Sequence, residues 1–504
     1  MKIKSIKINT LANYVGQLYV MLIGLAVTPL FLQYLGAEAY GLVGFFALLQ
    51  AWMNLLDVGL TPTLGREISF ARGQINGFDE FRKLLKSFEL IFIFLGVLVF
   101  LGIYIVSGWL AVGWINAEQL EFDIISYCIV LMGGMIGIRW LAGLFRSGIN
   151  GLEDQVWLNI ANIILISLRF VGGLALLAFI STDVRHFFEY QLLVGLVELL
   201  ILMAHFYSKL PPSTAPIAVV SFHLGSVKRV APFALSVAYT SGIWICVSQM
   251  DKLVLSSVLP LAEFGYFSLV ALLVAAIAGL TAPICIAVQP RMTYLLSNGQ
   301  EEEMLALYRG ATQLVTWVAT SVSVMVALFS ETLMYSWTGD RLAAAWAEDI
   351  LFWFSLGSGV LAVLSFQYYL QIAHGKLKLH ILGATISMAI DVPITIYVAL
   401  NYGALGAGIA LFVFRLFWML VWTPIVHHRF APGLHMKWLI NDVLIIALTV
   451  TLMAVLMRAL FPLIPELSRA LTFATLIIMG LIVMIASGLS SSFMREYFMR
   501  VRCA

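Results

Sequence analysis

Residues 11–35 read LANYVGQLYVMLIGLAVTPLFLQYL, without one Asp, Glu, Lys or Arg. About 20 apolar residues in a helix cross the roughly 30 Å hydrocarbon core of a bilayer, so this stretch predicts a membrane span. The run is too long for a secretory signal, and no small-residue cleavage site follows it. The same ruler applied along the chain marks fourteen spans. They lie near 11–35, 41–64, 88–108, 124–145, 156–180, 187–207, 231–258, 264–289, 310–335, 350–373, 379–401, 404–427, 439–461 and 470–489. The composition agrees: of 504 residues 62% are hydrophobic and only 11% charged, against the roughly 25% charged of a soluble protein. That shortage excludes a soluble multidomain enzyme and a disordered scaffold. A net charge of +2 excludes a nucleic-acid binder.

Lys and Arg in loops mark the cytoplasmic side of a membrane protein. Of the 29 basic residues, 21 fall in the termini and in every second loop, 3 (Arg185, Arg341 and Arg469) in the alternate loops, and 5 within spans. Both termini are therefore expected in the cytoplasm, which requires an even number of spans. Cys128, Cys246 and Cys285 fall inside spans and Cys503 in the tail, so no extracytoplasmic disulfide is expected.

Residues 208–230 hold Pro211, Pro212 and Pro216 and end on Lys228-Arg229, as expected for a cytoplasmic linker between two groups of six helices. The reading is an all-α polytopic membrane protein: an N-terminal six-helix lobe at 1–210, a linker at 211–230, a C-terminal six-helix lobe at 231–430, and two appended helices with a tail at 431–504. At an offset of 224, Tyr40-Gly41 falls on Phe264-Gly265 and Ala47-Leu48-Leu49 on Ala271-Leu272-Leu273. These matches suggest a parallel pseudo-repeat about an axis along the membrane normal.

The chain has no G-x-x-x-x-G-K-[ST] and no H-E-x-x-H, so no nucleotide, cofactor or metal is implied. His427, His428 and His435 beside Arg429 read as a wetted cap at a helix end, and Gly403, Gly406 and Gly408 as close helix packing. The longest outer loops, 109–123 and 336–349, are too small for the acceptor site of a membrane glycosyl polymerase, which argues against catalysis.

Charges at the bilayer centre cost several kcal/mol and mark a pathway or a buried pair. Arg169 and Glu198 lie on the consecutive fifth and sixth spans, Asp391 and Arg415 on the eleventh and twelfth. At ~1.5 Å per residue they sit about 20, 14, 18 and 18 Å from the cytoplasmic helix ends. Two readings stay open: structural ion pairs, or arginines that face a central cavity and bind an anionic headgroup with their planar two-donor fork while the acids orient them. Pro393 is expected to break its helix beside Asp391. Asp57, Arg139, Asp251 and Lys252 sit nearer span ends, with Arg139 and Lys252 able to snorkel. Tyr14, Tyr19, Trp52 and Tyr239 are candidates for stacking on sugars, against a role in interfacial belts, and Arg458 for pairing or snorkelling rather than substrate contact.

Asn13, Pro29, Leu35-Gly36, Tyr40-Gly41, Asp57, Gly59-Leu60 and Arg66, with Arg146 through Asn150-Gly151-Leu152, Asp251-Lys252 and Glu263-Phe264-Gly265-Tyr266, form an ordered set. It resembles the O-antigen and polysaccharide flippases (Wzx type) of the multidrug/oligosaccharidyl-lipid/polysaccharide exporter superfamily. The resemblance implies two six-helix lobes around a central cationic cavity. It further implies alternating access that carries undecaprenyl diphosphate-linked oligosaccharide across a bacterial inner membrane, with a polysaccharide polymerase and a chain-length regulator as neighbours. The alternatives are a peptidoglycan-precursor flippase or drug exporter of the same superfamily, or a membrane-embedded glycosyl or acyl transferase. The uncharged first span departs from the peptidoglycan and proton-coupled drug branches, and Leu259-Pro260, standing at the repeat position of Leu35-Gly36, weakens the internal symmetry.

Overall fold

The computed structural model describes residues 3–74, 77–212, 222–465 and 467–488. Among these residues the regular elements are helices, and Asn116 and Pro260 add one isolated bridge. Thirteen helices are long and apolar enough to cross a membrane. One of them, Lys378–Phe430, runs for 53 residues and is broken at Gly403 (φ 60°, ψ −152°) into two spans, so fourteen spans result as the hydropathy predicts. The chain divides into two compact units, Met1–Gly265 and Tyr266–Ala504. Residues 213–221 of the expected linker lie outside the described residues, as do Cys503 and the basic tail, and the linker's last residues, 224–230, are already helical.

The first unit holds α1 (Ile3–Leu35), α2 (Ala37–Met53), α3 (Leu60–Ala71), α4 (Gly77–Trp109), α5 (Phe122–Gly151), α6 (Gln155–Ser167), α7 (Gly173–Phe179), α8 (Val184–Lys209), α9 (Leu224–Val258) and the start of α10 (Leu261–Ser297). Its core joins α3, α4, α5 and α8 through Leu64, Leu84, Phe88, Met132, Ile136 and Leu202, all fully buried. Gly96 on α4 and Gly137 on α5 face each other so closely that a Cβ on either would lie 3.2–3.3 Å from the other's Cα. Without a hydrophobic force between helices in lipid, such backbone approach supplies the packing energy. Outward-facing Phe94, Ile105 and Phe179 present the apolar surface that lipid wets. α4 starts well before the expected span because the charged stretch at 79–86 continues the helix beyond the apolar run.

The second span is not one helix. After α2 the chain makes a 3-10 turn at Asn54–Asp57, passes through Val58 (φ 49°) and Gly59 (φ 70°), and restarts as α3. Gly59 is required there twice over, since its φ is left-handed and a Cβ would fall 2.3 Å from the Ala234 carbonyl oxygen of α9.

The second unit continues α10 and adds α11 (Glu301–Leu328), α12 (Ser330–Thr338), α13 (Arg341–Leu364), α14 (Phe366–Ala373), α15 (Lys378–Phe430), α16 (His435–Lys437), α17 (Ile445–Leu460) and α18 (Arg469–Ser487). The two halves of α15 run antiparallel, because a Cβ on Gly383 would strike Trp422 and one on Gly406 would meet Val398. Pro393 does not break the helix: only Gly403 has non-helical backbone angles in α15, and it serves the turn instead of the packing expected of it. Gly408 does pack closely, against Phe354. The appended helices share the core, with Val450, Leu476 and Val483 packed on Val324 and Phe329. Nor is His427 a wetted cap: it is fully buried, takes part in a 2.8 Å hydrogen bond with the Tyr308 hydroxyl, and meets His435 at 3.1 Å.

Candidate functional site

The fifth span carries its charge on an irregular turn. Between α6 and α7 the chain widens into a π-helical segment, Leu168–Gly172, which holds Arg169. A π turn frees backbone carbonyls from the regular ladder, and such segments gather at functional sites. Two side chains of α8 satisfy the freed groups: the Tyr190 hydroxyl donates to the Leu168 carbonyl (2.7 Å) and the Gln191 amide to the Arg169 carbonyl (3.1 Å). Gly172 leaves room for this clamp, since a Cβ there would lie 2.0 Å from the Tyr190 oxygen.

From that turn Arg169 Nη2 donates to Glu198 Oε2 on α8 at 2.7 Å, and Arg146 Nη2 on α5 donates to the other oxygen, Oε1. Arg139 stands seven residues before Arg146, two turns up the same helix face. Its guanidinium donates to Gln50 Oε1 on α2, lies 4.7 Å above the Phe46 ring, and is within Coulombic reach of Arg146, Arg169 and Glu198. Two guanidinium groups therefore clasp one carboxylate, and Arg139, held by Gln50 and Phe46, adds a third positive charge nearby for a local charge of +2. Glu198 is buried, the Arg169 side chain is 14% exposed and that of Arg146 37%. Like charges repel, and the carboxylate shared by Arg146 and Arg169 offsets the repulsion between those two. An arrangement of this kind can bind an oxyanion, because guanidinium forks stay charged when partly dehydrated.

Arg139, Arg169 and Glu198 from the sequence reading thus meet in one cluster. Arg146, Gln50 and Phe46 were missed. The span at 124–145 leaves Arg146 in the loop that follows, whereas α5 continues to Gly151; its seven-residue spacing from Arg139 is the available signal. Arg139 turns inward onto Gln50 and does not snorkel.

The other candidates have separate surroundings. Asp57 Oδ1 accepts from the Thr61 amide (3.2 Å) and hydroxyl (2.7 Å), which caps the restart of the broken second span. Asp251 is buried on α9, and Lys252 beside it donates to Gln249 Oε1 at 3.0 Å. Tyr14 is half-buried on α1, where Asn13 bonds Gln155 (2.8 Å) and Asn159 (2.6 Å) of α6, and Tyr19 meets Ser167. In the second unit the antiparallel register of α15 sets Asp391 and Arg415 at one level, and Asp391 accepts from the Thr395 hydroxyl at 3.3 Å. Arg458 lies 5.4 Å above the Phe329 ring.

The sequence model of the polysaccharide biosynthesis protein family matches residues 6–296, more than half of the chain. The chain belongs to this family. The matched stretch covers the whole arginine cluster of this polysaccharide biosynthesis protein. No curated protein matches it. Among solved structures it resembles a lipid II flippase, MurJ, in an inward closed conformation, with a TM-score of 0.67, 16% identity, and 97% of this chain and 99% of that one covered. It also resembles an inward-facing multidrug resistance MATE family transporter of the MOP superfamily, at a TM-score of 0.60, 14% identity, and 83% and 98% coverage. A further likeness is to a MOP superfamily transporter from Pyrococcus furiosus, at a TM-score of 0.53, 14% identity, and 84% and 96% coverage. The fold of this polysaccharide biosynthesis protein is that of these transporters.

Proposed function

We propose that this member of the polysaccharide biosynthesis protein family is a flippase for a lipid-linked oligosaccharide. Its substrate is a polyprenyl diphosphate-linked sugar unit of the O-antigen type, moved from the cytoplasmic to the periplasmic leaflet of a bacterial inner membrane by alternating access. The observation that carries the reading is the pair of Arg146 and Arg169 on the single carboxylate of Glu198, with Arg139 two turns from Arg146 on α5, inside helices long and apolar enough to span a bilayer. Charges in lipid mark a pathway or a buried pair; this cluster keeps two positive charges beyond its one carboxylate, and a diphosphate diester matches that excess. The basic loops set both termini in the cytoplasm, and a polymerase and a chain-length regulator in the same membrane would consume the product. Within the second unit, Arg415 is proposed as a further cationic contact for substrate, with Asp391 orienting it.

In a deletion strain complemented with variants, Arg169→Ala and Arg415→Ala are expected to abolish surface polysaccharide while the protein still inserts, and lipid-linked sugar should accumulate on the inner leaflet. Normal export by both variants would sink the reading. Restoration of export by exchanging the charges of Asp391 and Arg415 would make that pair structural.

A further inference from the structure

We infer that Glu198 is a built-in stand-in for the substrate's diphosphate: it holds the two guanidinium groups of Arg146 and Arg169 between turnovers and is displaced when the headgroup binds. The inference rests on reading the arginine cluster as a diphosphate site and assigns a role to its one acid.

The geometry is that of a bridging oxyanion. Each carboxylate oxygen of Glu198 takes a different arginine, Oε1 from Arg146 and Oε2 from Arg169, as two oxygens of one phosphate would. The two arginines come from different elements, α5 and the π turn, and α8 places the carboxylate between them. With Glu198 in place the cluster carries +2, and a diphosphate diester brings two negative charges, so the loaded site sums to zero with the glutamate still present. A diphosphate offers more acceptor oxygens than a carboxylate and wins the contest for the forks.

Exposure gives the exchange an order. Arg146 is the more open partner at 37% and Arg169 the more closed at 14%, so an incoming headgroup meets Arg146 first and then takes Arg169 as Glu198 lets go. The return of the tethered carboxylate speeds release, because it competes for the same donors at high effective concentration. Three arginines without it would repel one another and hold diphosphate too tightly to turn over.

The test uses the purified full-length protein and inorganic pyrophosphate, followed by titration calorimetry. Glu198→Gln is expected to bind about tenfold more tightly than wild type, and Arg169→Gln at least tenfold more weakly. Weaker binding in both variants means that Glu198 only positions the arginines, which overturns the displacement and leaves the diphosphate site standing. Unchanged affinity in Arg169→Gln and Arg146→Gln overturns the site itself, and the displacement with it. Because Glu198→Gln removes the counter-ion of Arg146 and Arg169 and risks misfolding, a second measurement keeps the protein unaltered. Saturating pyrophosphate is expected to raise the labelling of Glu198 by an apolar carbodiimide several-fold, read by peptide mass spectrometry. Labelling that stays level or falls while pyrophosphate is bound overturns the inference.

Discussion

Val58 is a β-branched residue held at φ 49°, where an L side chain crowds its own backbone. That conformation costs about 1–2 kcal/mol, and Gly59 follows it with φ 70° to complete the break between α2 and α3. Val58→Gly is expected to raise stability by about 0.5–1 kcal/mol, the relief of strain less the extra chain entropy of glycine. Thermal unfolding in detergent checks this, and a lowered melting temperature would show that the valine side chain contributes packing that outweighs the strain. The sequence displays Asp57-Val58-Gly59 in full, yet hydropathy reads it as part of one unbroken span, 41–64. What made the break invisible is tertiary: α9 crosses at Gly59, and its Ala234 carbonyl leaves no room for a side chain.

At the scale of elements, the three π-helical segments among the described residues share one function in the fold. Those at Leu110–Trp114, Leu168–Gly172 and Trp438–Leu444 each aim a polar side chain at a distant helix. The Trp114 indole donates to the Ser256 hydroxyl (3.0 Å), Arg169 reaches Glu198, and Asp442 accepts both nitrogens of the Arg309 fork (2.7 and 3.0 Å). Hydropathy locates spans because burial in lipid is a property of composition, so the helix count was legible. A π turn is decided by what the neighbouring helix offers the freed carbonyls, and a 3.6-residue period carries no trace of it. The loop at 115–120 shows the same limit. Glu38, in the first turn of α2, is buried and accepts from the amides of Glu118 (2.6 Å), Gln119 (2.9 Å) and Leu120 (2.8 Å), while the Asn116 carbonyl accepts from the Leu261 amide at 2.7 Å. Nothing in the sequence joins Glu38 to a loop eighty residues away. Glu38→Ala is expected to cost about 2–3 kcal/mol, since each lost bond is charge-assisted, and to speed amide exchange at 118–120 selectively. Unchanged exchange there would mean that the bridge at Asn116 and Pro260 alone orders the loop.

Across the whole molecule, the two appended helices bind into the second unit through a polar anchor. Asp442 is fully buried, paired with Arg309, and also accepts from the Gln313 amide at 2.7 Å; Trp438 donates to Thr312 beside it. Removing one member of a buried pair costs about 3–5 kcal/mol. Because about a third of the Arg309 side chain is exposed, Asp442→Ala is expected to cost about 2–3 kcal/mol and to loosen α17 and α18 from α11, seen as new proteolysis near residues 438–444. Stability equal to wild type would show that apolar packing alone holds these helices. The broad plan of fourteen spans was legible because it follows from length and hydropathy. Of the candidate site, the Arg169 and Glu198 pair is legible because, in the first six spans, these two are the mid-membrane charges on adjacent spans. Arg146 was not, because a helix end is fixed by the packing around it. The turn at Leu168–Gly172 also bears on how this chain is compared with others. A π segment holds one residue more than the α-helical turn it replaces, and one residue rotates everything beyond it by about 100°. A relative with the same letters but one position fewer would keep an arginine in the aligned column and point it at a different neighbour, so at this place an insertion, not a substitution, decides whether the charge is shared.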